Sequence, residues 1–191
     1  MSAPLTQPLH PIKDVMAGNA QHPASQALCP PDSELRAIQD LFFFLFRDLN
    51  SQPDSILLEF GYGRAHHRCL HWINRRPGLT VGELLSILDI TKQSLTRVLG
   101  PLVREGYVLQ TPGNADRRQR LLTLTPAGIA LEQRLFDSQK ERIALAYSKA
   151  GDHAMAGFLH VVHELISPQG HHCLSQSAIP RPDETSPVDQ S

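Results

Sequence analysis

The stretch that decides the fold is TVGELLSILDITKQSLTRVLGPLVREGYV, Thr80 to Val108. Thr80 followed three residues later by Glu83 is a capping box, so a short helix opens there. Asp89-Ile90 then makes a tight turn, and Thr91 supplies a second N-cap. Beyond it Leu95, Val98, Leu99, Leu102 and Val103 recur at helical spacing, the mark of one buried face. At 100° per residue, Gln93, Thr96, Arg97, Gly100 and Arg104 gather on the opposite, polar face. Gly106 ends this helix, which spans about Lys92 to Glu105. Pro101 lies inside it, and a kink or short break is expected there because proline removes a backbone donor. Two short helices joined tightly, the second with an exposed polar N-terminal face, form a helix-turn-helix.

On the C-terminal side, YVLQT (107–111) and QRLLTLT (119–125) alternate as two strands of a hairpin. Its tip, GNADRRQ, gathers Arg117 and Arg118, with Arg120 opening the returning strand. Like charges this close repel unless water screens them or an anion sits among them, so the tip is either a solvated turn or a finger for a polyanion. Thr125-Pro126 is a helix start with proline at the first helical position. A long helix is expected to about 149, then a last one after Gly151-Asp152, ending near Ser167.

On the N-terminal side, Pro31-Asp32-Ser33 starts a helix in which Leu35, Ile38, Phe42, Leu45 and Leu49 recur at helical spacing. Phe43, Phe44 and Phe46 make it apolar almost all round, more than one surface needs. A second subunit is expected to cover the surplus. Residues 54–75 form a second helical region, closed by Pro77-Gly78, with Trp72 read as a core residue.

The chain of 191 residues supports one good hydrophobic core. Its net charge of −1 announces no polyanion, but the distribution does. Residues 60–125 hold ten Lys/Arg against four Asp/Glu, and the remainder eight against fifteen. Such segregation can attract a polyanion to one region while the molecule stays near neutral. Three cysteines without C-x-x-C spacing point away from a disulfide framework and towards a reducing compartment. The N-terminus shows no signal pattern, and LFFFLF (41–46) is far too short to span a bilayer. A cytoplasmic protein with no membrane association is the expectation. Ten of the fifteen prolines fall in 1–31 and 168–191, so both segments read as disordered tails around a domain at 32–167.

The helix-turn-helix, the hairpin, LTPAG (124–128) and the long helix together resemble the MarR family of winged-helix transcriptional regulators. The resemblance covers residues 34–166. It is most specific from Gly78 to Val108 and in DRRQRLLTLTPAG (116–128). It implies a mainly α fold with a small β-wing, a winged helix-turn-helix at about 54–125, and dimerisation helices at about 33–50 and 126–166. It also implies a homodimer on a pseudo-palindromic double-stranded DNA operator, with the recognition helix in the major groove and a wing arginine in the minor groove. Carried onto this chain, the DNA-binding residues are Thr91, Lys92, Gln93, Ser94, Thr96 and Arg97 on the helix, and Asp116, Arg117 and Arg118 in the wing. Chemistry fits these roles, since arginine pairs with guanine, glutamine with adenine, and a guanidinium suits a narrow, negative groove. Asp116 would orient Arg118 rather than touch phosphate.

No cofactor, catalytic constellation, phosphate-cradling loop or complete metal motif is legible. His66, His67 and His71 border the region of the family's effector cleft, so they are candidates for a small-molecule effector or a metal, against the plainer role of satisfied helix residues. His160 with His163, and His171, His172 with Cys173, form equally incomplete sets. Cys69 reads as a small core residue. The family's peroxide-sensing position falls on Phe42, which cannot form a sulfenic acid. The expected function is a repressor released by an effector; the rival is a winged-helix protein-interaction module without DNA binding.

Overall fold

The computed structural model describes residues 30–113 and 116–176. The segment before Pro30, with Cys29, and the segment after Gln176 lie outside the described residues, as do Asn114 and Ala115 in the wing. The elements are α1 (Asp32–Leu58), α2 (Arg64–Arg75), β1 (Leu79–Thr80), α3 (Val81–Leu88), α4 (Lys92–Arg104), β2 (Val108–Pro112), β3 (Arg120–Leu124), α5 (Pro126–Leu165, two helical stretches joined across a kink at Gly151, φ 79°) and α6 (Pro168–Ser175). The fold is mainly helical with one small antiparallel sheet, ordered β1-β3-β2. Two units divide the chain at Asp40. The described part of the first holds only the opening turns of α1, all exposed.

In the second unit the core is built around α2. Cys69, Leu70 and Ile73 are fully buried there, packed with Leu57 of α1, Leu84 of α3, Leu95 and Leu102 of α4, Leu122 of β3 and Leu135 of α5. The core therefore takes its residues from the end of α1 and only the start of α5. Every residue from 141 to 154 is exposed.

Four boundaries differ from the sequence expectation, each for a physical reason. Residues 54–58 continue α1 rather than opening α2. Pro53 sits inside α1 and cannot donate to the Leu49 carbonyl, but Gln139 of α5 does so through Nε2 at 3.0 Å. A tertiary partner thus satisfies the acceptor that proline leaves open. The real break is Gly61-Tyr62-Gly63, where Gly61 has φ 68°. Second, Leu79 and Thr80 form a third strand, pairing with Leu122 and Leu121; two residues are too short to show an alternation. Third, α4 runs unbroken through Pro101. The acceptor proline strands there is the carbonyl of Arg97, an exposed residue within reach of water. Fourth, Pro168–Ser175 is helical, not a tail. Ser167 Oγ accepts from the Gly170 amide at 3.2 Å, Pro168 occupies the first turn, and Gln169 Nε2 donates to the Ser86 carbonyl at 3.1 Å. Ser-Pro here is a helix start that bulk composition concealed.

Candidate nucleic-acid interface

The helix-turn-helix is framed by capping chemistry. Thr80 Oγ1 accepts from the Glu83 amide at 3.1 Å, while the Glu83 carboxylate accepts from the Thr80 amide at 2.6 Å. That amide holds the Glu83 carboxyl below its usual range, helped by the Thr80 hydroxyl and Arg76. Arg76 Nη2 donates to Glu83 Oε1 at 3.0 Å, tying the C-cap of α2 to the start of α3. Asp89 closes α3 in the left-handed region, φ 49°, which turns the chain sharply into Thr91. Thr91 Oγ1 then accepts from the Ser94 amide at 3.2 Å.

Leu95, Leu99 and Leu102 bury one face of α4, and the opposite face lies open. Lys92, Gln93, Ser94, Thr96 and Arg97 are all exposed on its first two turns. The Thr91 and Ser94 hydroxyls bond each other at 3.0 Å, and Thr96 Oγ1 donates to the Lys92 carbonyl at 2.9 Å. These three therefore already have partners in the helix. At its far end, Tyr62 Oη donates to Glu105 Oε2 at 2.5 Å. Tyr62 is buried, and it packs against Phe60, Tyr107 and His66. Burial first, then the Glu105 bond, raises the Tyr62 hydroxyl far above its ordinary value. The same bond lowers the Glu105 carboxyl. Tyr62 and Glu105 escaped the sequence reading, because the only local signal was a tyrosine between two glycines.

The wing is the β2–β3 hairpin, in register from Val108 opposite Leu124 to Pro112 opposite Arg120. At its tip the Arg118 amide donates to Asp116 Oδ1 at 2.8 Å. The Gly113 amide reaches the Gln119 carbonyl at 3.0 Å. A side chain at Gly113 would meet the Asp116 carbonyl at 2.8 Å, so only glycine fits this closed tip. Arg117 and Arg118 stand exposed.

The arginines divide into two sets. Arg47, Arg64, Arg76, Arg104 and Arg134 each pair with a carboxylate of this chain. Among the described residues, the side chains of Arg97, Arg117 and Arg118 make no such pair, and neither do those of Arg36, Arg68, Arg120 and Arg142. Two cations on the wing tip and one on the open face of α4 thus stand exposed without a carboxylate partner among the described residues.

The histidines of α2 do not converge. His66 stacks on Tyr62, ring centroids 4.5 Å apart, and its Nδ1 accepts from the Gly63 amide at 3.1 Å. His71 Nδ1 lies 3.5 Å from Oε1 of Glu132, a buried residue of α5 whose Oε2 accepts from Asn74 at 2.6 Å. Burial lowers the pKa of both His66 and His67; for His67, neighbouring His71 adds to the effect. Among the described residues no group of three or more His, Cys, Asp or Glu could hold a metal ion. Cys69 is buried, which pushes its thiol up to about 12, as befits a core residue.

A helix-turn-helix followed by a hairpin with unpaired tip arginines defines a winged helix-turn-helix protein. The MarR family model matches residues 60–119. The segments GRAHHR (63–68) and DITKQSLTRVL (89–99) resemble PetP-type members of that family. The chain is 46% identical over 137 residues to the HTH-type transcriptional regulator PetP of Rhodobacter capsulatus, covering 72% of this chain and 82% of the relative. It is 32% identical over 90 residues to the transcriptional activatory protein BadR of Rhodopseudomonas palustris, 47% of this chain and 50% of that one. Among solved structures, Streptococcus pneumoniae FabT in complex with DNA superimposes with a TM-score of 0.62 at 17% identity, over 74% of this chain and 98% of that one. A mutant MarR from E. coli complexed with operator DNA gives 0.56 at 20% identity, over 73% and 100%. The chain belongs to the MarR family.

Proposed function

We propose that this protein is a homodimeric, sequence-specific DNA-binding repressor of the cytoplasm, released by a small-molecule effector, with no enzymatic step. The observation that carries the reading is the division of the arginines. Arg97, Arg117 and Arg118 are exposed and make no ion pair among the described residues, on the two elements that a winged helix presents to a duplex. Gln93 and Arg97 read base edges in the major groove; Lys92 neutralises phosphate, and Thr91, Ser94 and Thr96 hold the helix start against it. Arg117 and Arg118 enter the minor groove, with Asp116 setting the turn that presents them.

Dimerisation rests on exposed apolar side chains. In the second unit Leu41, Phe43, Phe44 and Phe46 of α1 are exposed, as are Phe158, Leu159 and Leu165 of α5. So much open apolar surface on helices marks an interface. No described helix is long and apolar enough to cross a membrane.

Selection from a library of random duplexes tests the proposal. The expected product is a pseudo-palindrome with half-sites one helical turn, roughly 34–36 Å, apart. Arg118→Ala should weaken binding to it and flatten the salt dependence, because fewer counterions are released. Failure to enrich any sequence, or an unchanged salt slope, refutes the reading of these arginines. Deleting the gene should raise transcription from promoters that carry the selected site; a fall would make the protein an activator.

A further inference from the structure

The last described helix, α6, starts at Pro168, beyond the span 34–166 over which the chain resembles its family. An isolated helix of eight residues is unstable in water, so α6 owes its existence to what it touches. Three contacts hold it. His171 lies against His163 of α5, ring centroids 5.0 Å apart. A Cβ at Gly170 would collide with Ile166 Cγ2, part of a β-branched side chain with little freedom to move aside, so the turn closes tightly around glycine. Gln169 Nε2 donates to the Ser86 carbonyl at 3.1 Å. The first two contacts join α6 to the end of α5; the third joins it to α3, inside the helix-turn-helix. Trp72, Ile87, Ile166 and Leu174, all half-buried, line the groove that remains beneath α6.

We propose that α6 splints the helix-turn-helix, and that Gln169 is a positioning residue for sequence-specific DNA recognition. Ser86 lies in the last turn of α3, and the final carbonyls of a helix have no amide partner in its own ladder. Gln169 supplies one from outside. The need for it is local. α3 has only eight residues, and its start is fixed by the Thr80–Glu83 box. Its end instead runs through Asp89, at φ 49° in a region that a residue with a side chain enters at some cost. Two residues later the chain reaches the Thr91 cap of α4, so freedom at the end of α3 is passed on to Lys92, Gln93 and Arg97. Ser86 and Gln169 are both exposed, so their bond adds little to the core and acts on the angle of the turn. Contacts to base edges need one orientation of α4, whereas contacts to phosphate carry no sequence information and tolerate several. The proposal rests on the DNA-binding reading above and adds to it a residue, outside the winged helix, that aims the recognition helix.

Three variants of the full-length protein test this. Gln169→Met keeps the length of the side chain but removes its donor, and Gln169→Lys restores an N–H donor. Gly170→Ala pushes α6 away from Ile166 and leaves residue 169 untouched. In the free protein, hydrogen exchange is followed at Leu85 to Leu88, at the end of α3, and at Leu95, whose amide donates to the Thr91 carbonyl. Exchange there should quicken at least about threefold in Gln169→Met and Gly170→Ala, and return towards wild type in Gln169→Lys. On DNA, the readout is the ratio of affinity for the selected operator to affinity for random duplex, at one salt concentration. That ratio should fall about fivefold in the first two variants and recover in the third. Taking a ratio cancels the charge that lysine adds, and melting curves should shift little for either variant at 169. Unchanged exchange in Gln169→Met overturns the splint. Faster exchange with an unchanged ratio overturns the positioning role, as does an equal loss of both affinities or a lysine variant no better than the methionine one. If no duplex sequence is enriched, the DNA-binding reading fails and the positioning role with it, while exchange still decides the splint.

Discussion

Gly128 offers the sharpest test of how the wing is fixed to the body. It is buried in the first turn of α5, and a Cβ there would stand 2.1 Å from the Tyr107 carbonyl oxygen and 3.3 Å from Leu124 Cβ. The first obstacle is backbone, so no rotamer change can relieve it. The helix and the start of β2 would have to part by about an ångström, a misfit of the kind that costs ~1–3 kcal/mol or more. The same movement strains the Thr125 junction. There Oγ1 accepts from the Gly128 amide at 3.1 Å and donates to the Gly106 carbonyl at 2.6 Å. Losing such a cap costs a further ~0.5–2 kcal/mol. Gly128→Ala should therefore destabilise by about 2–4 kcal/mol, a fall in Tm of roughly 5–15 °C for a domain of this size. Gly100→Ala is the internal control. Nothing lies within 4 Å of the Cβ it would add, so α4 should gain ~0.5–1 kcal/mol from the better helix former. Urea titrations of both variants give the two free energies. A Gly128→Ala protein as stable as wild type would show that the close approach at 128 does not govern this junction.

Gln93→Ala or Arg97→Ala should relax sequence choice at one position of the operator, at about 1–3 kcal/mol for each lost bidentate base contact; equal weakening on specific and random duplexes would reduce both residues to backbone contacts. Light scattering at micromolar concentration should return a dimer without DNA, and a monomer mass would contradict the reading of the exposed α1 and α5 faces. Stability should fall as pH drops through the ordinary histidine value near ~6.5. His66 and His67 have lowered pKa values when folded, so the unfolded chain takes up protons first. Glu105 beside His66, and Glu132 and Asp54 near His67, oppose the shift without reversing it. Urea midpoints at about pH 7.5 and about pH 5.5 measure this, and a His66→Gln, His67→Gln double variant should lose most of the difference.

What the sequence showed and what it hid divide mostly by the distance between interacting residues; Ser167 with Gly170, a cap over three positions that composition concealed, is the exception. Thr80 with Glu83, Thr91 with Ser94 and Thr125 with Gly128 are bonds over three positions, so capping rules found all three helix starts. The amphipathic pattern of α4 was equally local. Residues 54–58 were expected in the second helix but continue α1 past Pro53, because the Gln139 donor to the Leu49 carbonyl lies 90 positions away from it. Tyr62 with Glu105, and Asn74 with Glu132, are separated by 43 and 58 positions, and neither pair leaves a trace in spacing. The groove beneath α6 was hidden for the same reason, since Trp72 and Leu174 line it together only in the fold.

The same division explains how the interface is held ready. Among the described residues the arginines proposed to meet DNA make no ion pair, while polar neighbours spend their own bonding on the backbone that carries them. Thr91 fixes the start of α4 under Lys92 and Gln93, and Glu105, held by buried Tyr62, fixes its end. Asp116 fixes the amide of Arg118 and leaves the guanidinium outside. An arginine tied to a carboxylate, like Arg134 on Glu59 at 2.7 Å, would have to break that pair before meeting phosphate. Among the described residues, Arg97, Arg117 and Arg118 have no such pair to break. Their frame is set in advance, so the ordering cost on binding falls mainly on the side chains themselves. By this logic Tyr62→Phe is more informative than a second wing substitution. It leaves the aromatic packing in place but removes the 2.5 Å bond to Glu105, freeing the C-terminal end of α4. Specific operator affinity should fall while affinity for random duplex, carried by phosphate contacts, stays nearly constant. Equal loss on both, measured at one salt concentration, would mean that the Tyr62–Glu105 bond supports the fold as a whole and does not aim the recognition helix.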